Sequence, residues 1–170
     1  MLIDRIKKDP QLSTLIQAEC EENGVCIRFD ESIDRSKTII LKPDAYYNGL
    51  KIGKPPASVD CLIIRECTKV KDTYGLTLVE LKDSKEFKIK NIIEKFETIL
   101  EDFIPHKFKE LLDREYESIH LYLVTHKKLH RKNQLGTLPF EVLHNTRLKF
   151  RGKRVMINPR MPTPVIKNCY

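Results

Sequence analysis

Two short apolar runs with a polar segment between them constrain the fold of this chain more than any other feature. Residues 61–67 and 76–81 are rich in β-branched and aliphatic side chains, and the segment between them carries lysines, an aspartate and a glycine. This pattern predicts a β-hairpin. Opposed residues of an antiparallel pair have a constant sum of residue numbers, which is about 140 or 142 for a turn centred near residue 70 or 71. Asp60 then lies opposite Glu80 or Lys82.

Three ionisable side chains are expected to converge at the ends of this hairpin. Glu80 and Lys82 are two residues apart on one strand and therefore share a face of the sheet, and Asp60 faces them from the other strand. Mg²⁺ prefers hard oxygen ligands and commonly takes only one or two carboxylates from a protein. Two carboxylates beside a lysine therefore suit metal-assisted hydrolysis of a phosphodiester, in which the ammonium orients water and offsets developing negative charge.

Hydrophobic spacing and breaker residues predict the other elements. A strand, a long helix and a second strand in this order favour parallel pairing of the two strands. We expect an α/β fold in one domain, 1–170, with a core over about 11–125 and a basic C-terminal extension over 126–170. The predicted elements are a helix over 11–22, strands over 25–30 and 37–42, a loop or loosely paired hairpin over 43–59, a helix from about 90 to 116 that Pro105 kinks or splits, a strand over 118–125, and a hairpin over 147–157 that turns at Gly152.

The acid ahead of one strand and the E-x-K that closes the next resemble the PD-(D/E)XK nuclease superfamily, the restriction-endonuclease-like fold. The matching residues are Asp60 before CLIIREC and Glu80-Leu81-Lys82 at the end of LTLVELK. The resemblance implies an αβββαβ core with a mixed central sheet flanked by helices. It also implies that Asp60 and Glu80 ligate Mg²⁺, with Mn²⁺ as a substitute. The Leu81 carbonyl would complete the metal site, and Lys82 would be the catalytic lysine.

Two positions in this assignment have an alternative. A literal Pro-Asp occurs at Pro43-Asp44, so Asp44 could replace Asp60, although the hairpin register favours Asp60. Many members of the superfamily carry a further acid on the first helix. The candidate for this catalytic acid is Glu19, because it falls within the apolar arc of the helix predicted there, and Glu22 is the fallback.

Positive charge concentrates in the last quarter of the chain. Residues 126–170 contain 11 lysines and arginines against one acid, Glu141, a net charge of +10, whereas the whole chain has a net charge of +7. This excess indicates a polyanionic partner, with DNA favoured over RNA. A membrane surface is not expected, because the basic residues form no long amphipathic helix. The residues expected to contact phosphates are Lys127, Lys128, Arg131, Lys132, Arg147, Lys149, Arg151, Lys153 and Arg154.

These features together predict a small Mg²⁺-dependent nuclease, an endonuclease acting on DNA. Cleavage of both strands would favour a homodimer, because the two antiparallel strands present two related phosphates. One alternative is a non-catalytic nucleic-acid-binding subunit of a larger assembly. Another is a protein-interaction domain whose tail becomes ordered on a partner.

Cysteine usage and hydropathy suggest a cytoplasmic protein. The five cysteines are odd in number and show no C-x-x-C spacing, so we expect them to be reduced and mostly buried. No apolar run approaches the roughly 20 residues that a membrane-spanning helix needs.

Overall fold

A seven-stranded mixed sheet forms the centre of the fold in a computed structural model that describes residues 1–83, 87–125, 138–160 and 163–169. In spatial order the strands are β1 (Ile16–Gln17), β5 (Thr38–Leu41), β6 (Cys61–Glu66), β7 (Tyr74–Lys82), β8 (Ser118–Thr125), β10 (Lys153–Arg160) and β9 (Arg147–Phe150). β7 pairs in parallel with β8, and β8 with β10, whereas the other neighbouring strands are antiparallel.

Each α-helix in the described residues contributes to the apolar core on one face of this sheet, which we call the helix face. Wider π-helical turns over Ile99–Lys107 continue the third helix, and single 3₁₀ turns occur at Leu12–Leu15 and Arg35–Lys37. Within the described ranges, no helix combines the length and the apolar character needed to cross a membrane. The α-helices are α1 (Leu2–Lys8), α2 (Pro43–Gly49), α3 (Ile89–Thr98), α4 (Lys109–Leu112) and α5 (Leu138–Asn145).

Two small ribbons cover part of the opposite face, which we call the ribbon face. β2 (Glu21–Glu22) pairs with β3 (Val25–Cys26), and β4 (Arg28–Phe29) pairs in parallel with β11 (Val165–Ile166). Apolar side chains from these ribbons and their connections pack on the sheet residues that point away from the helices. The chain is therefore a mixed α/β protein in which helices pack on one face of the sheet and ribbons on the other.

The register of β6 and β7 matches the prediction for the hairpin. Leu62 lies opposite Leu78 and Ile64 opposite Leu76, so opposed residue numbers add up to 140. The crossover from β7 through α3 to β8 gives parallel pairing, also as predicted. The last hairpin is confirmed as well, since Phe150 pairs with Lys153 across a turn at residues 151–152.

Two predicted elements in the first third of the chain are wrong. Residues 11–22 form no long helix: after Leu12–Leu15 the chain extends, and Ile16 pairs with Leu41 at the edge of the sheet. Residues 43–49 form α2 rather than a loop, with Pro43 at a first-turn position that suits its fixed φ. In both places the sheet and the helix face provide partners that are distant in sequence. Contacts with these partners, rather than the local spacing of apolar and turn-forming residues, determine the secondary structure.

Pro105 lies within the long helical segment, as the sequence predicts. The π-helical turns accommodate it, and the segment then breaks at Phe108, whose backbone N–H donates to the Phe103 carbonyl at 3.0 Å. A short second helix, α4, follows the break. The predicted division into two helical pieces is confirmed.

The expectation that the cysteines are reduced is wrong for four of them. Cys20 is bonded to Cys61 and Cys67 to Cys169, with Cα separations of 6.1 and 5.3 Å, whereas Cys26 carries a free thiol. The partners are 41 and 102 residues apart in sequence, and the folding of the ribbons over the sheet brings them together. An odd number of cysteines means that at least one of them is unpaired within the chain. It does not prevent the other four from forming two disulfides.

Gly75 leaves space for a buried arginine. It lies directly opposite Arg65 in the β6–β7 pair, and a Cβ added at Gly75 would be 2.8 Å from Cζ of Arg65 and 2.9 Å from Sγ of Cys169. These distances are shorter than van der Waals contact. The guanidinium of Arg65 therefore occupies the space where the side chain of any other residue at position 75 would begin.

We expect Gly75→Ala to lower the free energy of unfolding by about 1–3 kcal/mol, because the new methyl group must displace buried atoms. Gly49→Ala is the matched control, since nothing lies within 4 Å of its Cβ position. Alanine is also favoured over glycine in a helix, so this control should be neutral or slightly stabilising. Urea unfolding of both variants measures the difference. Equal stabilities would contradict the close packing at Gly75.

Candidate functional site

Asp60 and Glu80 meet where β6 begins and β7 ends. Asp60 immediately precedes β6 and is partly buried, and its Oδ2 accepts a hydrogen bond from the backbone N–H of Leu81 at 2.6 Å. Glu80 is fully buried. By alternation both side chains point to the helix face, as Leu62 and Leu78 do. The structure thus brings together the two carboxylates that the hairpin register paired.

Two lysines contact Glu80 from different elements. Nζ of Lys95, on α3, lies 2.6 Å from Oε1 of Glu80, and Nζ of Lys82 lies 3.5 Å from the same oxygen. The sequence analysis identified Lys82 but missed Lys95. A signal was present, because Lys95 lies three residues after Ile92 and four before Ile99, within the apolar stripe of α3. A lysine at such a position needs a buried partner.

Asp44 is a third carboxylate in this cluster. It lies in the first turn of α2, and its Oδ1 is buried without a hydrogen-bond partner. Burial raises the pKa of Asp44, and the charge of Asp60 raises it further, whereas Lys42 and Lys95 oppose the shift. The sequence left Asp44 and Asp60 as alternatives. In the structure Asp60 takes the position opposite Glu80, and Asp44 approaches the same cluster from the helix.

The Glu80 carboxyl group titrates well above its ordinary range. Burial raises the pKa of Glu80 to about 8, with a further contribution from Asp60, while the charges of Lys95 and Lys82 oppose the shift. Burial by itself would lower the pKa of Lys95, but the negative charges of Glu80, Asp60 and Asp44 raise it overall. Glu80 therefore retains its proton near neutral pH unless an additional positive charge approaches.

The cluster has the donor chemistry for a hard divalent cation. Oδ1 of Asp44 and Oε2 of Glu80 are buried oxygens without a partner, which is costly unless a cation or a proton satisfies them. No group of three or more acidic, histidine or cysteine side chains in the described residues is arranged to hold a metal. Mg²⁺ needs only one or two protein carboxylates, because water and substrate complete its shell. Asp60 and Glu80 fit that requirement, and a carbonyl ligand from Leu81 stays a prediction.

Glu19 lies outside this cluster. It is exposed, and the next residue, Cys20, is bonded to Cys61 on the ribbon face. The helical arc that suggested Glu19 does not exist, because residues 11–22 are not a helix. Glu22, the fallback, is exposed on β2. Neither residue joins Asp60 and Glu80.

The basic hairpin of β9 and β10 lies apart from the carboxylates. Its apolar residues point to the core on the helix face, so by alternation Arg147, Lys149 and Arg154 point to the opposite face. Arg151 pairs with Asp113 at 2.7 Å, and Lys153 pairs with Glu115 at 2.9 Å. Ion pairs within the described residues thus neutralise part of the predicted basic surface.

The other predicted phosphate contacts lie outside the described residues. These are Lys127, Lys128, Arg131 and Lys132. The last described residue before them, Thr125, is the register partner of Lys82.

The raised pKa of Glu80 predicts a particular dependence of stability on pH. Between about pH 4.5 and pH 8 the folded state holds a proton that the unfolded state has lost, so stability falls as pH rises. In metal-free buffer we expect the wild-type Tm to fall over this window and the Tm of Glu80→Gln to fall less. Glu94→Gln, an exposed change on α3, should keep the wild-type slope. Identical slopes for wild type and Glu80→Gln would contradict the shift.

Comparisons of the chain with protein-family models, with curated proteins and with solved structures find no match. Its function is therefore inferred from the arrangement of its own residues.

Proposed function

We propose that this chain is a divalent-metal-dependent nuclease that hydrolyses phosphodiester bonds, with Mg²⁺ as the ion and DNA as the substrate. The observation that carries the proposal is the meeting of Asp60 and Glu80, with Asp44 close to them, where Oε2 of Glu80 and Oδ1 of Asp44 are buried without a partner. Carboxylates that crowd together in a buried environment repel one another and lose hydration. A divalent cation would relieve both costs.

The topology supports placing the chain with the PD-(D/E)XK nucleases. Strands β5, β6 and β7 form an antiparallel unit, and α3 then crosses over to the parallel strand β8. Asp60 immediately precedes the second strand of that unit, and Glu80 and Lys82 lie at the end of the third. The antiparallel unit, the crossover helix and the parallel strand support an αβββαβ core, although α2 lies between β5 and β6 and the helices of the described residues pack on one face of the sheet only.

In this proposal each residue of the cluster has a role. Asp60 and Glu80 would hold the ion, which would polarise the phosphodiester and make a nearby water more acidic. Lys82, 24% exposed, would orient that water and offset charge on the phosphoryl oxygens. Lys95 is a positioning residue that fixes Glu80. In the reaction the water oxygen bonds to phosphorus, the bond to the leaving sugar oxygen breaks, and the proton of the water ends on that oxygen.

A nucleic-acid-binding module without catalysis is the alternative, and one contact favours it. Lys95 already gives Oε1 of Glu80 a partner at 2.6 Å without any metal ion. Arg147, Lys149 and Arg154 also present cations on a surface separate from the carboxylates. Such a module would bind nucleic acid in a salt-dependent manner and need no divalent ion.

Cleavage assays test the catalytic proposal. With Mg²⁺ or Mn²⁺ and either plasmid or linear DNA, we expect Asp60→Ala and Lys82→Ala to lower the cleavage rate by at least about 100-fold, because each removes a group acting at the phosphate. Calorimetry should show Mn²⁺ binding that Glu80→Gln weakens. Lys90→Ala and Glu94→Gln, exposed changes on α3, are the matched controls and should cleave at the wild-type rate.

Cleavage that persists in the Asp60 and Lys82 variants, or in excess chelator, would contradict these assignments. Nucleic-acid binding without cleavage, unchanged by chelator and by Glu80→Gln, would establish the non-catalytic alternative. Parallel assays with RNA of the same sequence decide between the two substrates.

The separate basic surface gives a second expectation. Replacing Lys149 and Arg154 together by alanine should weaken DNA binding and reduce the salt dependence of the affinity by about two phosphate contacts. Arg151→Ala should weaken it less, because Asp113 and Glu115 already hold that guanidinium. Fluorescence anisotropy over a salt series measures both. Equal losses in the two variants would contradict the distinction between unpaired and ion-paired cations.

A further inference from the structure

A polar pocket opens on the ribbon face of the sheet, on the other side from the carboxylate cluster. Its volume is about 430 Å³, which lies in the range of pockets that bind small ligands. The C-terminal segment over 164–168 forms one wall, and β6, β8 and β10 supply the rest. The polar residues that line it are Arg65, His120, Tyr122, Arg160, Lys167 and Asn168.

Arg65 is the most unusual residue of this pocket. It is 1% exposed, yet no ion pair among the described residues includes it. Its Nη1 donates to Oγ1 of Thr77 at 3.3 Å and its Nη2 to Oγ of Ser118 at 3.1 Å, whereas Nε is buried without a partner. Removing a guanidinium from water without a counter-ion costs several kcal/mol. Two neutral hydroxyl groups offset only a small part of that cost.

The surroundings of Arg65 add positive charge. Arg160 and Lys167 line the same pocket, and no acidic side chain lines it within the described part of the chain. Burial lowers the pKa of His120, and the charges of Arg65 and Arg160 lower it further. The pKa of Asp30 is lowered chiefly by hydrogen bonds from Ser32, and the charge of Lys167 makes a smaller contribution in the same direction. Among the described residues, the pocket therefore holds concentrated positive charge without an acidic side chain in its lining.

We propose that this pocket binds a phosphomonoester group, with Arg65 at its base and Arg160 and Lys167 at its rim. A phosphate dianion offers several acceptor oxygens, which suits the unsatisfied Nε of Arg65 and the two further cations. The volume exceeds that of a phosphate group, so the remainder of the ligand can contact Tyr122 and Pro164. The site needs no metal ion and is independent of the proposed nuclease centre.

Calorimetry on the full chain in chelator-containing buffer tests the proposal. We expect inorganic phosphate and adenosine 5′-monophosphate each to bind saturably with one-to-one stoichiometry. Chloride at the same ionic strength should show no binding. Replacing Arg160 and Lys167 together by alanine should weaken binding at least about tenfold, because both exposed cations face the ligand. Lys7→Ala with Lys8→Ala is the matched control, since these exposed cations lie on α1, outside the pocket. That control should bind as wild type does.

A second variant examines the base of the pocket. Arg65→Met should abolish phosphate binding while the chain stays folded, because methionine removes a buried charge that lacks a counter-ion. If Arg65→Met does not fold, the double alanine variant of the exposed Arg160 and Lys167 still tests whether the pocket binds phosphate. Absence of saturable binding by both phosphate probes up to about 10 mM, or wild-type affinity in the Arg160 and Lys167 variant, would overturn the proposal.

The two sources of a phosphomonoester are distinguished by a further pair of probes. A single-stranded oligonucleotide with a 5′-phosphate and the same strand with a 5′-hydroxyl are compared in wild type and in Arg65→Met. A preference for the phosphorylated strand that Arg65→Met removes would support the pocket and assign it to nucleic-acid ends. Equal binding of both strands, together with binding of the mononucleotide, would support it and assign it to a small phosphorylated molecule.

Discussion

The antiparallel register of β6 and β7 determines where each buried charge of this protein lies. Even-numbered residues of both strands point to the helix face and odd-numbered ones to the ribbon face, as the two apolar clusters show. Glu80 is therefore among the helices and Arg65 among the ribbons. A slip of one residue would exchange the faces and place Glu80 in the ribbon layer. The pairing of Leu62 with Leu78 and of Ile64 with Leu76 buries four aliphatic side chains on one face and so excludes that slip.

The two buried charges differ in how they can be neutralised. Glu80 has a pKa of about 8, so it can take up a proton when no cation is bound, and Lys95 contacts it in addition. Burial lowers the pKa of Arg65, but a guanidinium keeps its proton in proteins, and no carboxylate contacts it in the described residues. A proton and Lys95 can thus offset the cost of burying the carboxylate of Glu80. Arg65 keeps its charge at neutral pH, so an oppositely charged ligand would stabilise its pocket more.

The sequence predicts the hairpin because its pairing is local. The position of Asp60 opposite Glu80 requires only the alternation of two adjacent strands and the position of one turn. Contacts between segments that are distant in sequence leave no comparable pattern in the sequence. Ile16 fits a helical spacing as well as a strand edge, and only its pairing with Leu41 decides between them. Lys95 stood out within the apolar stripe of its helix, but its partner could not be inferred without the position of α3 over the sheet.

Other features could not be predicted because they are properties of the whole fold. A set of five cysteines does not determine which of them pair, so neither bridge could be read from the sequence. The lack of a partner for Arg65 is likewise visible only when every neighbouring element is in place. In the sequence Arg65 comes directly after four apolar residues, near the end of β6, and this position alone indicates an ordinary charge at a strand end.

β6, β7 and β8 contribute to both candidate sites, which lie on opposite faces of the sheet. Glu80 lies near the end of β7, beside the end of β8, whereas Gly75 and Ser118 lie where those strands begin. Glu80 and Arg65 at the base of the pocket are thus separated by most of the length of β7, whereas Arg160 at its rim pairs with Val124, the register partner of Leu81. The sheet lies between Arg160 and the carboxylates, because Arg160 is on the ribbon face. If both proposed sites bind their ligands, each ligand would stabilise the fold by an amount set by its own concentration and affinity, because each proposed site forms only when β6, β7 and β8 are paired.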